Sequence, residues 1–168
     1  MKTVHGARKA IAVLALVALL ATSATAVLIW QLSRGYHSGH PEISAYTHGQ
    51  WERIGPYRYC DVYDLNRCDV PETIGELNVS SGDPVQLSVP PAIARAPWVL
   101  LRSYEDGKSE DTQEFRPDSK IAVTIPTVDP HRGRLTGIAV MLPTLVRDEQ
   151  DNQFPWPHAE WSVRTVWS

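Results

Sequence analysis

From Ala10 to Trp30 the chain runs for 21 residues without a charged side chain, AIAVLALVALLATSATAVLIW, and the uncharged stretch continues through Ser33. A helix rises ~1.5 Å per residue and a bilayer core is ~30 Å thick, so about 20 such residues span it. Lys2, Arg8 and Lys9 precede the run and a single base, Arg34, follows it. The positive-inside bias therefore keeps residues 1–9 in the cytoplasm as a basic tip and sends everything after the run outward. Residues 10–32 are expected to be a transmembrane anchor or uncleaved signal whose partner is membrane lipid, with Trp30 at its outer interface. A cleaved signal is the competing outcome, because Ala10–Ala21 makes an h-region and Ala24-Thr25-Ala26 an A-x-A site. Val27-Leu28-Ile29-Trp30 carries the apolar run past that site, which favours retention. Both outcomes place the C-terminal part outside the cytoplasm.

The charge balance divides at the same place. Residues 1–34 hold four bases and no acid, while the remainder holds 12 bases against 19 acids. Affinity for nucleic acid comes mostly from Lys and Arg neutralising phosphates, so the acidic exported part is not expected to bind it. Export also gives the two cysteines a meaning. Cys60 and Cys68, within YCDVYDLNRCD, are expected to form a local disulfide, since two thiols so placed in an oxidising compartment pair. A zinc site would need two further ligands at another spacing.

Residues 33–55, rich in Gly, His and Ser, lack helical or strand periodicity and are expected to be a juxtamembrane linker. From residue 56 to 168, short alternating runs separated by turn residues predict strands. These runs are Pro56–Tyr63, a short edge piece at Leu77–Ser80, Val85–Val89, Trp98–Tyr104, a weak run at Thr112–Phe115, Ile121–Ile125, Arg134–Leu142 and Ala159–Trp167. With no amphipathic helix among them, the expected fold is all-β: an immunoglobulin-like β-sandwich of about seven strands. A small open barrel is the alternative. Trp98, Trp161 and Trp167 fall where core tryptophans would.

The segment VQLSVP at 85–90, Ile93-Ala94, PWVL at 97–100 and Tyr104, taken with Tyr59-Cys60, Cys68 and the N-terminal apolar run, resembles an uncharacterised actinobacterial family. It is found chiefly in mycobacteria and their relatives and catalogued as domain of unknown function 2771. The resemblance implies a membrane-attached bacterial envelope protein and brings no catalytic residues with it.

Catalytic signatures are absent, with neither G-x-S-x-G nor S-x-x-K in the sequence. His37, His40 and His48 are read as solvated linker residues and not as a metal site, and no cofactor is expected. The acidic stretches Glu105–Asp111 and Asp148–Asp151 do not follow the EF-hand spacing and are read as turns and loops. FPWPH at 154–158 is the most distinctive stretch left, since two prolines hold it extended and present aromatic groups. Phe154, Trp156 and His158 are the candidate partner-contact residues, on a loop that otherwise folds back to cover a sheet edge. The resulting expectation is a non-enzymatic cell-envelope protein that binds an envelope protein or component. The alternative is an enzyme, or an accessory subunit of one, acting on cell-wall polymer or lipid.

Overall fold

The computed structural model describes residues 17–29, 39–107 and 111–167, which belong to two compact units, 1–39 and 40–168. In the first unit, residues 17–29 are helical (α1). The expected anchor at 10–32 extends beyond the described residues on both sides, and the basic tip lies outside them. No helix among the described residues is long and apolar enough to cross a membrane.

The second unit is all-β, with two sheets around one core. The smaller sheet has the order β2 (Gln50–Ile54), β1 (Ile43–Thr47), β6 (Val85–Ser88), β9 (Ala122–Ile125). Alternation explains it: Ile43, Ala45 and Thr47 are buried on one face of β1 while Tyr46 on the other is exposed, and Val85 and Leu87 repeat the pattern on β6. The larger sheet runs β4 (Asp64–Asp69), β3 (Arg58–Asp61), β12 (Gln153–Trp167), β11 (Gly133–Arg147), β7 (Trp98–Tyr104), β8 (Asp111–Phe115). Two further strands attach to it: β5 (Ile74–Val79) runs parallel to the end of β12, and β10 (Val128–Asp129) pairs with β11. A short helix, α2 (Pro91–Ala94), carries the chain from one sheet to the other and buries Ile93 and Ala94. Pro91 suits its first turn, where an N–H would lack a partner anyway.

The core is built from both sheets. Trp98 and Trp161 are its largest fully buried side chains, and Trp98 stacks on Phe115 with ring centroids 4.0 Å apart. Trp161 donates its indole N–H to the Pro41 carbonyl at 2.8 Å, which ties the residues ahead of β1 to the larger sheet. On β11 the pairing with β7 slips between Leu135 and Gly137, leaving Thr136 as a bulge. The Leu135 carbonyl there accepts from Thr165 Oγ1 and from Trp167 Nε1, so the ladder interruption leaves no orphaned acceptor.

Two expectations need correction. The described residues hold twelve strands where about seven were expected. The supposed linker at 33–55 contains β1 and β2, a complete hairpin of the smaller sheet. His48 (φ 44°) and Gly49 (φ 77°) both adopt positive φ between Thr47 and Gln50, the signature of a two-residue type I′ turn. The hairpin's outer edge reaches β5, where Gln50 Oε1 accepts the Asn78 backbone N–H at 3.0 Å.

Candidate functional site

Cys60 and Cys68 are directly opposed across β3 and β4 and form the expected disulfide. Its hairpin ends in a tip fixed by Asp61, which accepts the backbone N–H of Tyr63 at 2.9 Å and pairs with Arg67. The Tyr63 N–H, then the Arg67 hydrogen bond, hold the Asp61 carboxyl below the ordinary carboxylate range. The tip presents Tyr63, 99% exposed, beside an open cleft of about 460 Å³. His40 forms another wall of this cleft, stacked on Tyr59 at 4.3 Å and hydrogen-bonded to Asp69 at 2.8 Å. Of the three histidines grouped by sequence, His40 and His48 thus lie at different acidic partners, His48 being 2.9 Å from Asp83, while His37 is outside the described residues.

The FPWPH stretch is not a loop. It is the first half of β12, paired with the last residues of β11: Thr144 opposite Trp156, Leu145 opposite Pro155, Val146 opposite Phe154. On β11 the pairing with β7 stops at Met141, and on β12 the pairing with β3 stops at Ala159. Beyond those points β11 and β12 continue as a two-stranded arm. Prolines are compatible with it because Pro155 and Pro157 share one parity. A proline fits a pair that exchanges no hydrogen bonds, where its missing N–H would have pointed away from the partner strand. That same absence blunts the arm's outer edge against further strand pairing.

The arm's tip is closed by Asp148. Its carboxylate accepts the Asn152 side-chain amide at 2.9 Å and the backbone N–H groups of Asn152 (2.8 Å) and Gln150 (3.0 Å). These bonds, the Asn152 side chain foremost, hold its pKa below the ordinary value. The acidic loop is therefore a self-satisfied turn. No group of three or more His, Cys, Asp or Glu placed to hold a metal occurs among the described residues. Glu105–Asp111 is only partly described; Asp111 pairs with Arg102 at 2.9 Å and with Arg132 at 3.0 Å.

Two of the three candidate contact residues are exposed, Phe154 to 39% and Trp156 to 48%. His158 is not. Leu142 lies opposite Ala159 and Pro143 opposite Pro157, so His158 is the extra residue of a β-bulge. The bulge breaks the alternation and turns His158 inward, where it is 8% exposed. Its Nδ1 lies 3.3 Å from the Cys60 carbonyl; a carbonyl only accepts, so Nδ1 carries the proton. His158 thus braces the disulfide strand instead of facing a partner. Sequence reasoning missed Leu145, which at 69% exposed is the arm's most open apolar residue. It lies just past the strand expected at Arg134–Leu142 and shares the outward parity of Ala139 and Met141, on the face opposite the buried Ile138, Val140 and Leu142.

The sequence model of the family described as "Protein of unknown function (DUF2771)" matches residues 36–166. A protein of Mycobacterium bovis and one of Mycobacterium tuberculosis, both described as uncharacterized, are each 56% identical over 151 residues, covering 90% of this chain and 93% of theirs. No solved structure matches the chain.

Proposed function

The chain belongs to the actinobacterial DUF2771 family of proteins of unknown function, and we propose that it is a non-enzymatic, membrane-anchored cell-envelope protein that binds another envelope protein through its β11–β12 arm. The observation that carries this is the exposure of Leu145, Phe154 and Trp156 on a projecting ribbon. Phe154 and Trp156 share one face of the ribbon and leave roughly 200 Å² of apolar surface in water there, worth about 5 kcal/mol if covered and before the costs of association, while Leu145, opposite Pro155, lies on the other face. Two-stranded ribbons are marginal by themselves, and the Asp148 network stiffens this one at its tip. Stiffening lowers the ordering cost of a contact.

The uncharged run from Ala10 to Trp30 supports attachment through an anchor with the sandwich outside the cytoplasm. Within α1 the hydroxyls of Thr22 and Thr25 donate to the carbonyls of Ala18 (3.0 Å) and Ala21 (2.8 Å), which suits a helix in lipid. Trp98 in the core supports the immunoglobulin-like form of the sandwich, although the disulfide staples one hairpin and not two sheets.

The test is crosslinking on native membranes followed by mass spectrometry, comparing the natural chain with a variant carrying Leu145→Ser, Phe154→Ser and Trp156→Ser. Loss of one crosslinked protein at unchanged melting temperature is the expected result. Identical crosslinks in both would reject the arm as the contact. Exchanging residues 10–32 for an unrelated anchor should leave the crosslink intact; its loss would move the contact to the anchor.

A further inference from the structure

The outer face of the smaller sheet carries a second surface, independent of the arm. Pairing registers place Trp51 opposite Tyr46, Tyr46 opposite Gln86, and Gln86 opposite Thr124, one residue from each of the four strands. The next row on the same face sets Ser44 opposite Ser88, with Arg53 at its end. Trp51 is 61% and Tyr46 46% exposed. The two rings sit on directly opposed residues, about 5 Å apart at Cβ, and the Arg53 guanidinium lies 5.6 Å from the Trp51 ring centre.

A depression of about 130 Å³ lies over Ser44, Tyr46, Trp51, Gln86 and Ser88. A second, of about 500 Å³, adjoins it across Tyr46 and Gln86 and reaches His48 and Asp83. The two meet at Tyr46 and Gln86 and follow β1 and β6, crossing the row of four. Thr124 Oγ1 donates to Gln86 Oε1 at 2.9 Å, which orients the amide and leaves its NH2 to donate outward.

We propose that this groove binds a neutral, β-linked pyranose oligosaccharide. Such a sugar has flat apolar C–H faces and a rim of hydroxyls. Tyr46 and Trp51 supply aromatic planes for the first, while Gln86, Ser44 and Ser88 supply amide and hydroxyl groups for the second. The charge pattern selects a neutral ligand: Arg53 lies 4.0 Å from Glu42 at one end and Asp83 2.9 Å from His48 at the other, which makes no field of a single sign for a phosphate-rich surface or a polyanion.

The test uses the full chain in detergent, titrated calorimetrically with chitotetraose and with cellotetraose. Saturable binding of at least one tetrasaccharide with a Kd of order 0.1–1 mM is expected, as open grooves give modest affinities. Trp51→Ala and Gln86→Ala should each weaken it by ~10-fold or more, Trp51→Tyr should largely retain it, and Trp156→Ala on the arm should leave it unchanged. Melting temperatures of all four variants should match the natural chain, since these side chains are exposed. No saturable heat with either sugar up to about 10 mM overturns the proposal. So does binding that survives Trp51→Ala, which would place the sugar elsewhere. Loss of sugar binding in Trp156→Ala alone would assign the sugar to the arm and overturn both surfaces as described.

Discussion

Removing the disulfide with the pair Cys60→Ala and Cys68→Ala tests how the β3–β4 hairpin is held. No residue from Asp64 to Asp69 is fully buried, so β4 adds little to the core and is retained by its ladder with β3 and by the bridge. The cysteines are 8 positions apart. For so short a loop the chain-entropy model assigns the crosslink about 2.6 kcal/mol. The unit from His40 to Ser168 unfolds with an entropy of about 0.27 kcal/mol/K at average per-residue values. Each kcal/mol then corresponds to about 4 °C, and the double variant should melt about 10 °C lower. Thermal denaturation followed by circular dichroism measures the shift, and hydrogen exchange should show the amides of 61–69 opening ahead of the core. Alanine is chosen because Cys60 is 4% exposed and a serine hydroxyl would add a buried polar group. A fall below about 3 °C with exchange in 61–69 unchanged refutes the reasoning, because the ladder alone would then be holding β4.

Three further outcomes follow from the same geometry. Gly75→Ala should lower stability by about 1–3 kcal/mol, because a Cβ there runs into the side chain of Ile54, itself 1% exposed; a urea midpoint that does not move would show that β5 slides away from β2 freely. Trp161→Phe removes the indole donor to the Pro41 carbonyl along with core volume and should cost about 2–3 kcal/mol by urea denaturation. Asp129, like Asp61 and Asp148, is held below its ordinary pKa, chiefly by the His131 backbone N–H. A carboxyl depressed in the folded state stabilises above its unfolded pKa of ~3.9, and that contribution disappears as pH falls through the folded value. The melting temperature should therefore hold level from neutral pH to about 5 and drop below about 4, with Asp129→Asn softening the acid limb.

Alternation made the strong strands legible. β6, β7 and β9 were readable because Val85/Leu87, Trp98/Leu100 and Val123/Ile125 follow strand spacing between turn residues. β4 was not, because DLNRCD has little apolar alternation and is held by pairing and by a covalent bond. β1 and β2 were hidden by a polar setting. Their turn was signalled by Gly49 after His48, which are required for a tight reversal but are common in any loop. Residues 154–158 were misread for a physical reason: prolines normally argue against a strand, and these two are tolerated by their parity in the arm.

The sequence by itself determined what depends on neighbours along the chain: the uncharged run, the charge division at Arg34, the all-β class and the pairing of two nearby cysteines. Tertiary structure decided what depends on register between distant strands. Leu145 is exposed because the register of β11 sets it on the face opposite Val140 and Leu142, and His158 turns inward because one extra residue enters β12. Trp51, Tyr46, Gln86 and Thr124 form a row because four separate segments align. Side-chain direction in a strand has a period of two, so a single residue of slip reverses every face. That slip is set by contacts between segments as far apart as Tyr46 and Thr124, which local pattern does not encode.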